Sequence, residues 1–168
     1  GEQYHLLYSK VYDIHTSVLR LTNTIGPRMR IKDARQTFVG IWLRLLIEGK
    51  SFEVWGGDQL RDFTFIDDCI RALAMAAVDS KAKGRVFNLG GTHPVSLKEL
   101  GDTLLKANGS GDYTIKQFPE ERKRIDIGNY YSSDALIRTS LGWSHETPLE
   151  LALEKTLAYY RENIEHYL

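Results

Sequence analysis

Cysteine occurs once in these 168 residues, at Cys69, so no internal disulfide can staple the fold. Net charge is missing too, because 22 basic and 22 acidic residues cancel. A chain without an overall positive field carries no electrostatic footprint for nucleic acid or an anionic membrane, although neutrality is compatible with a local basic patch. Long apolar runs are absent: "ALAMAAV" at 72–78 falls well short of the roughly 20 residues of a membrane-spanning helix, and no signal peptide opens the chain. The five histidines, at 5, 15, 93, 145 and 166, show no paired ligand spacing, so no zinc site is expected. No G-x-G-x-x-G turn for a dinucleotide occurs, and "NLGGTHP" has its glycines at the wrong spacing. "YSK" at 8–10 lacks the four-residue offset that brings a Tyr and a Lys to one helix face. What is present is ordinary for a globular protein, with 42% hydrophobic and 26% charged residues and a length suited to one domain or one domain plus part of another. The expected setting is soluble and cytoplasmic, with no metal, no nucleic acid and no membrane as partners.

Periodicity predicts a helix over 2–12 and a short buried strand at 16–21, "TSVLRL", stopped by Gly26-Pro27. Phe38, Ile41, Trp42 and Leu45 recur at helical spacing within 34–48, with Gly49 as terminator. "FEVW" and "DFTFI" alternate as strands. Asp67 is expected to cap a helix whose apolar stripe is Ile70, Leu73, Ala74, Ala77 and Val78, with Cys69 as a buried, inert thiol. "RVFNLGG" reads as another strand, and Ser96 with Glu99 forms an S-x-x-E capping box for a helix that Asn108-Gly109 ends. A strand at 113–118, a basic loop at 120–126, a short helix between Ser133 and Gly142, and a last helix capped by Thr147 and running to about residue 163 complete the pattern. Strands and helices interleave, so the class is α/β. The first strand has no partner of its type nearby. Since a parallel sheet needs several buried strands, the rest of the sheet is expected from residues before Gly1.

Three stretches carry candidate chemistry. In "VWGGDQLRD" the glycines free the backbone to turn and Arg61 emerges at the next strand, where a guanidinium can grip a phosphate with two prongs. The plainer alternative, a hairpin turn and an Asp-paired surface Arg, is favoured by the residues alone. Asn23 in "RLTNTIGPR" stands just past a buried strand, where open α/β sheets bind ligands. Its amide suits a sugar hydroxyl or a diphosphate oxygen, or else caps the turn before Gly26. "ERKRID" brings Arg122, Lys123 and Arg124 together, as a solvated loop or as a second phosphate clamp. Trp55 can stack on a base, although core filling is the commoner fate of a strand Trp.

In order, "LRLTNTIGPR", "VWGGDQLRDFTFIDDCIRAL", "VFNLGG", "VSLKEL", "LGW" and "TPLELALEKTLAYYREN" resemble the C-terminal part of an extended short-chain dehydrogenase/reductase, and within it the NAD-dependent nucleotide-sugar epimerases and dehydratases. The resemblance covers nearly the whole chain. It implies a Rossmann-type fold, with residues 1–30 as the tail of an incomplete NAD-binding domain and 31–168 mainly a substrate-binding domain with some segments returning to the Rossmann sheet. It implies NAD as cofactor of the full-length protein, a nucleotide diphosphate sugar as substrate, and a homodimer. The fingerprint glycines and the catalytic Tyr and Lys are implied to precede Gly1, so that these residues alone are inactive and none of them is catalytic. Carried over by motif, Asn23 matches the Asn of "N-x-x-G-P", Arg61 the diphosphate-binding Arg of "G-x-x-x-R-D", and Trp55 an aromatic position near the base. The family's "R-P-G-D" becomes "RKRID" here, which leaves Arg122, Lys123 or Arg124 as the second clamp and aligns Asp126. The implied activity is that of the UDP-glucose 4-epimerase-like members. The rivals are a dTDP-glucose 4,6-dehydratase, a UDP-glucuronate decarboxylase, or a catalytically silent relative that binds a nucleotide or a protein.

Overall fold

The computed structural model describes residues 1–33, 37–91, 93–123 and 126–168, without the side chains of 122 and 123. Its elements run α1 (Glu2–Tyr12), β1 (Ser17–Leu21), β2 (Asn23–Ile25), α2 (Phe38–Ile47), β3 (Phe52–Trp55), β4 (Leu60–Arg61), β5 (Phe63–Phe65), α3 (Ile66–Val78), β6 (Arg85–Leu89), β7 (Val95–Ser96), α4 (Leu97–Asn108), β8 (Tyr113–Lys116), α5 (Glu120–Lys123), α6 (Ala135–Leu141) and α7 (Leu149–Asn163). They divide between two units, each assembled from three separate stretches of chain.

The first unit comprises Gly1–Thr24, Asp62–His93 and Tyr131–Thr147. Here β1 lies parallel to β6, with Ser17 opposite Arg85 and Leu21 opposite Leu89. The expectation of a first strand without a like partner is therefore corrected: "RVFNL" is that partner, reached through a crossover that local periodicity does not reveal. β2 pairs with β5. The core gathers Cys69, Ala72 and Ala76 of α3 with Phe87, Leu89, Ile137, Leu141 and Trp143, and burial raises the Cys69 thiol above its ordinary range.

The expected stripe of α3 is on the wrong face. Ile70, Leu73 and Val78 are 55%, 50% and 84% exposed, whereas Asp68, Cys69, Ala72 and Ala76 are buried. The reason is a polar anchor. The Asp68 carboxylate accepts from the backbone N–H of Glu146 at 3.3 Å and Thr147 at 3.1 Å and pairs with Arg71 at 2.9 Å, and its own carbonyl accepts from the Trp143 indole at 3.0 Å. A buried carboxylate has to be satisfied, so it sets the helix rotation against the apolar pattern. Asp67 is exposed inside the helix, and the cap position falls to Phe65 with no side-chain bond.

The second unit comprises Ile25–Arg61, Pro94–Tyr130 and Pro148–Leu168. β3 runs parallel to β8 and β4 antiparallel to β7. β3 and β4 thus take different partners, so the glycine turn between them is not a hairpin. α2 starts at Phe38 with Thr37 as its cap, its side chain accepting from Val39 N; the expected start at 34 lies outside the described residues. α2, α4 and α7 pack together around a run of rings, Phe38 to Trp42 at 4.8 Å, Trp42 to Phe52 at 4.7 Å and Phe52 to Tyr113 at 5.4 Å. Each ring pair adds about 0.5–1.5 kcal/mol beyond the area it buries. The capping box of α4 forms as expected, and α7 begins one residue later than expected, with Pro148 rather than Thr147 at its cap. The basic stretch predicted as a loop opens with the short helix α5.

Candidate functional site

Within the second unit a cavity of about 780 Å³ opens between α2, the end of β3, β4 and the chain after β8. Apolar side chains, among them Phe38, Trp42 and Phe118, form much of its wall, and Arg61 supplies a positive charge.

Why these residues face the cavity follows from the glycine turn. Gly56 and Gly57 have φ of 76° and 109°, conformations that a residue with a Cβ rarely adopts. Gln59 braces the turn: its Oε1 accepts from Gly57 N at 2.9 Å and its Nε2 donates to the Trp55 carbonyl at 3.2 Å. The first N–H groups of α4 are satisfied by the same turn, Leu97 N donating to the Gln59 carbonyl and Lys98 N to the Gly57 carbonyl. A turn fixed at so many points holds Trp55 on one side and Arg61 on the other.

Arg61 is only 8% exposed. Its Nη1 donates to the carbonyls of Leu60 and Gly128, and its Nη2 lies 3.6 Å from an Asp126 carboxylate oxygen, a loose ion pair. Among the described residues nothing accepts a hydrogen bond from its Nε–H. The Nε/Nη2 edge, the fork that matches a phosphate, is therefore held in place and engaged only by that loose contact. Trp55 is half-buried rather than a core filler; its indole N–H donates to Glu53 at 3.2 Å and its ring meets the Phe118 ring edge-on at 6.3 Å. Sequence reasoning did not single out Phe118, Phe38 or Asn129, whose side chain accepts from Leu60 N at 2.9 Å. Phe118 and Asn129 carry no local motif, whereas Phe38 was read only as part of the apolar spacing of α2, the helix that brings it to the cavity.

The other candidates are placed differently. Asn23 belongs to the first unit, where its amide donates to the Asp62 carbonyl at 3.0 Å. The side chain of Arg122 and all of Arg124 lie outside the described residues. Among the described residues no cluster of His, Cys, Asp and Glu suits a metal ion, and no helix is long and apolar enough to cross a membrane.

Comparison with known proteins gives this geometry a setting. Residues 1–90 match the model of the NAD dependent epimerase/dehydratase family. The chain belongs to that family. UDP-glucuronic acid decarboxylase 1 of Xenopus tropicalis is 30% identical over 95% of the chain and 36% of its own length. Among solved structures, the UDP-glucose 4-epimerase of Thermotoga maritima with UDP-glucose superposes with a TM-score of 0.85 over 97% of this chain and 51% of its own, at 24% identity, a likeness of fold. The UDP-glucuronic acid 4-epimerase of Bacillus cereus, in complex with UDP-glucuronic acid and NAD, gives 0.76 at 27% identity over 96% of this chain and 50% of its own. The chain spans about a third to a half of the length of these proteins. The fold is the α/β, Rossmann-like fold of the family. One expectation is overturned: the family match falls on residues 1–90, the N-terminal half of the chain, and the reading of the chain as a C-terminal portion is withdrawn.

NAD is the family's cofactor. The sequence carries neither the fingerprint glycines nor a Tyr-x-x-x-Lys pair. The glycine pair after β6 is packed closely: a Cβ on Gly90 would stand 2.3 Å from Ser132 Oγ and 2.5 Å from Asp62 Oδ2.

Proposed function

We propose that the cavity of the second unit holds the nucleotide diphosphate of a nucleotide sugar. On this reading the chain is the sugar-nucleotide-binding part of an NAD-dependent epimerase of the UDP-glucose 4-epimerase kind. The observation that carries the reading is the buried Arg61, its guanidinium fork engaged only by the loose contact to Asp126, beside an aromatic wall.

In this arrangement the base rests against Trp55 and Phe118, whose flat faces tolerate any base, while the diphosphate takes two N–H bonds from the Nε/Nη2 edge of Arg61. Asp126 gives up its loose contact as the ligand's oxygens arrive. Fixing the diphosphate orients the attached sugar and leaves its ring free to react. The family's NAD would supply the hydride acceptor. A second reading, decarboxylation of a UDP-glucuronate, is favoured by the 30% identical decarboxylase. The homodimer is proposed on the same footing, with the exposed Tyr4, Leu7 and Val11 of α1 as its apolar face.

Titration calorimetry with UDP tests the site. Arg61→Ala is expected to weaken binding by about 1.5–3 kcal/mol, the range for hydrogen bonds to charged groups, and Asp126→Asn to strengthen it. Equal affinity of Arg61→Ala and the parent chain removes Arg61 from the site. Binding of UDP-sugars by a reconstituted enzyme without turnover favours the silent alternative.

A further inference from the structure

A second cavity of the same unit, about 420 Å³, is built from a different part of the sequence, "RMRIK" at 28–32, together with His166 and Tyr167. The segment leaves a turn at Arg28 and forms neither helix nor strand. Ile31 is 1% exposed, while Arg28, Arg30 and Lys32 are exposed. Three exposed cations thus fall within five residues.

The segment is fixed from both neighbouring helices. From α7, the buried Tyr160 hydroxyl donates to the Met29 carbonyl at 2.5 Å. From α2, Arg44 donates to the Lys32 carbonyl at 3.0 Å. Gly40 of α2 lies so close that a Cβ there would stand 2.3 Å from the Arg30 carbonyl oxygen. Arg28 itself has φ of 69°, a left-handed conformation that is costly for a long side chain and persists only where its surroundings impose it.

The charges are unevenly paired. Arg30 is taken by Asp33, in two bonds of 2.9 and 2.6 Å. Among the described residues, Arg28 and Lys32 have no carboxylate partner, although both line the cavity with His166, Tyr167 and Leu168. Like charges gathered within five residues repel unless they are solvated or face an anion.

We infer that this cavity is an anion site, distinct from the Arg61 pocket, that takes a phosphate-bearing small molecule between Arg28 and Lys32. Arg28 offers a two-pronged grip and Lys32 a point charge, on a backbone already held in the binding geometry.

The test uses the whole chain carrying Arg61→Ala, which silences the first pocket. Inorganic pyrophosphate and UDP are titrated separately by calorimetry into this background and into the same chain with Arg28→Gly and Lys32→Ala added. Pyrophosphate is expected to bind the background and to bind the further variant at least tenfold more weakly. UDP binding as tightly as pyrophosphate assigns the site to nucleotide phosphates, and pyrophosphate alone assigns it to an inorganic phosphate. Unchanged pyrophosphate affinity in the further variant, or no binding to the background, overturns the inference. Because Arg28→Gly relieves the left-handed strain, that single variant is expected to melt no lower than its parent, so lost binding cannot be assigned to misfolding. Loss of UDP binding on Arg61→Ala alone speaks only to the first pocket.

Discussion

Asp62 ties distant stretches of the first unit together, and the motif reading, which included it in "G-x-x-x-R-D", gave it no role. It is fully buried, and its Oδ2 accepts from Gly91 N at 2.9 Å and Ser132 N at 3.0 Å, while Oδ1 has no partner among the described residues. Asp62→Ala leaves two part-buried N–H groups unpaired and is expected to cost about 2–5 kcal/mol in urea unfolding. Asp62→Asn keeps an acceptor and is expected to cost clearly less; equal losses would show that the two bonds do not matter. Gly90→Ala, driven into Ser132 and Asp62, is expected to destabilise by about 1–3 kcal/mol or more. Arg61 was legible from its motif because a glycine turn before a strand is a local signal. Asp62, its neighbour in sequence, was not, because its partners come from residues 91 and 132.

Elements were legible where their ends carry chemistry and less so where their faces were inferred from periodicity. The capping box of α4 was readable because Ser96 and Glu99 are three residues apart and need nothing else. The Ser96 backbone N–H and hydroxyl hold the Glu99 carboxyl below its ordinary value of 4.5. A depressed carboxylate adds stability above its unfolded pKa and loses it as pH falls through the folded value. The melting temperature of Glu99→Gln is therefore expected to lie below that of the parent chain at neutral pH and to converge with it in acid, once the pH falls below the lowered pKa of Glu99; a gap that persists in acid would refute the charge-dependent cap. The α3 stripe misled because helical spacing reports amphipathicity without saying which side is buried, and Asp68 decided it. The outcome is an apolar face left in solvent, as on α1. Leu7→Glu with Val11→Glu is expected to lower dye binding to apolar surface and to reduce self-association in light scattering; no change on either measure would count against α1 as the homodimer face.

For the whole molecule, the α/β class and the family were readable because six weak motifs fall in a fixed order, and order along the chain is what a sequence states directly. The division into two interleaved units, each from three stretches, was not, because contacts between distant stretches leave no local trace. The same holds for the cavity, whose walls come from α2, β3, β4 and the residues after β8. These 168 residues, with NAD and UDP-glucose, UDP-glucuronate or dTDP-glucose, are expected to produce no NADH absorbance and no altered sugar, since neither fingerprint glycines nor a Tyr-x-x-x-Lys pair is present. Turnover by the purified chain would refute this.

The pairing of Arg61 with Asp126 at 3.6 Å has a consequence for how the pocket fills. On the proposed reading the Asp126 carboxylate holds the place of the ligand's anion, and arrival of a diphosphate would exchange one counter-ion for another. The diphosphate would bring more negative charge than the single carboxylate it displaces, so its binding would weaken as salt rises.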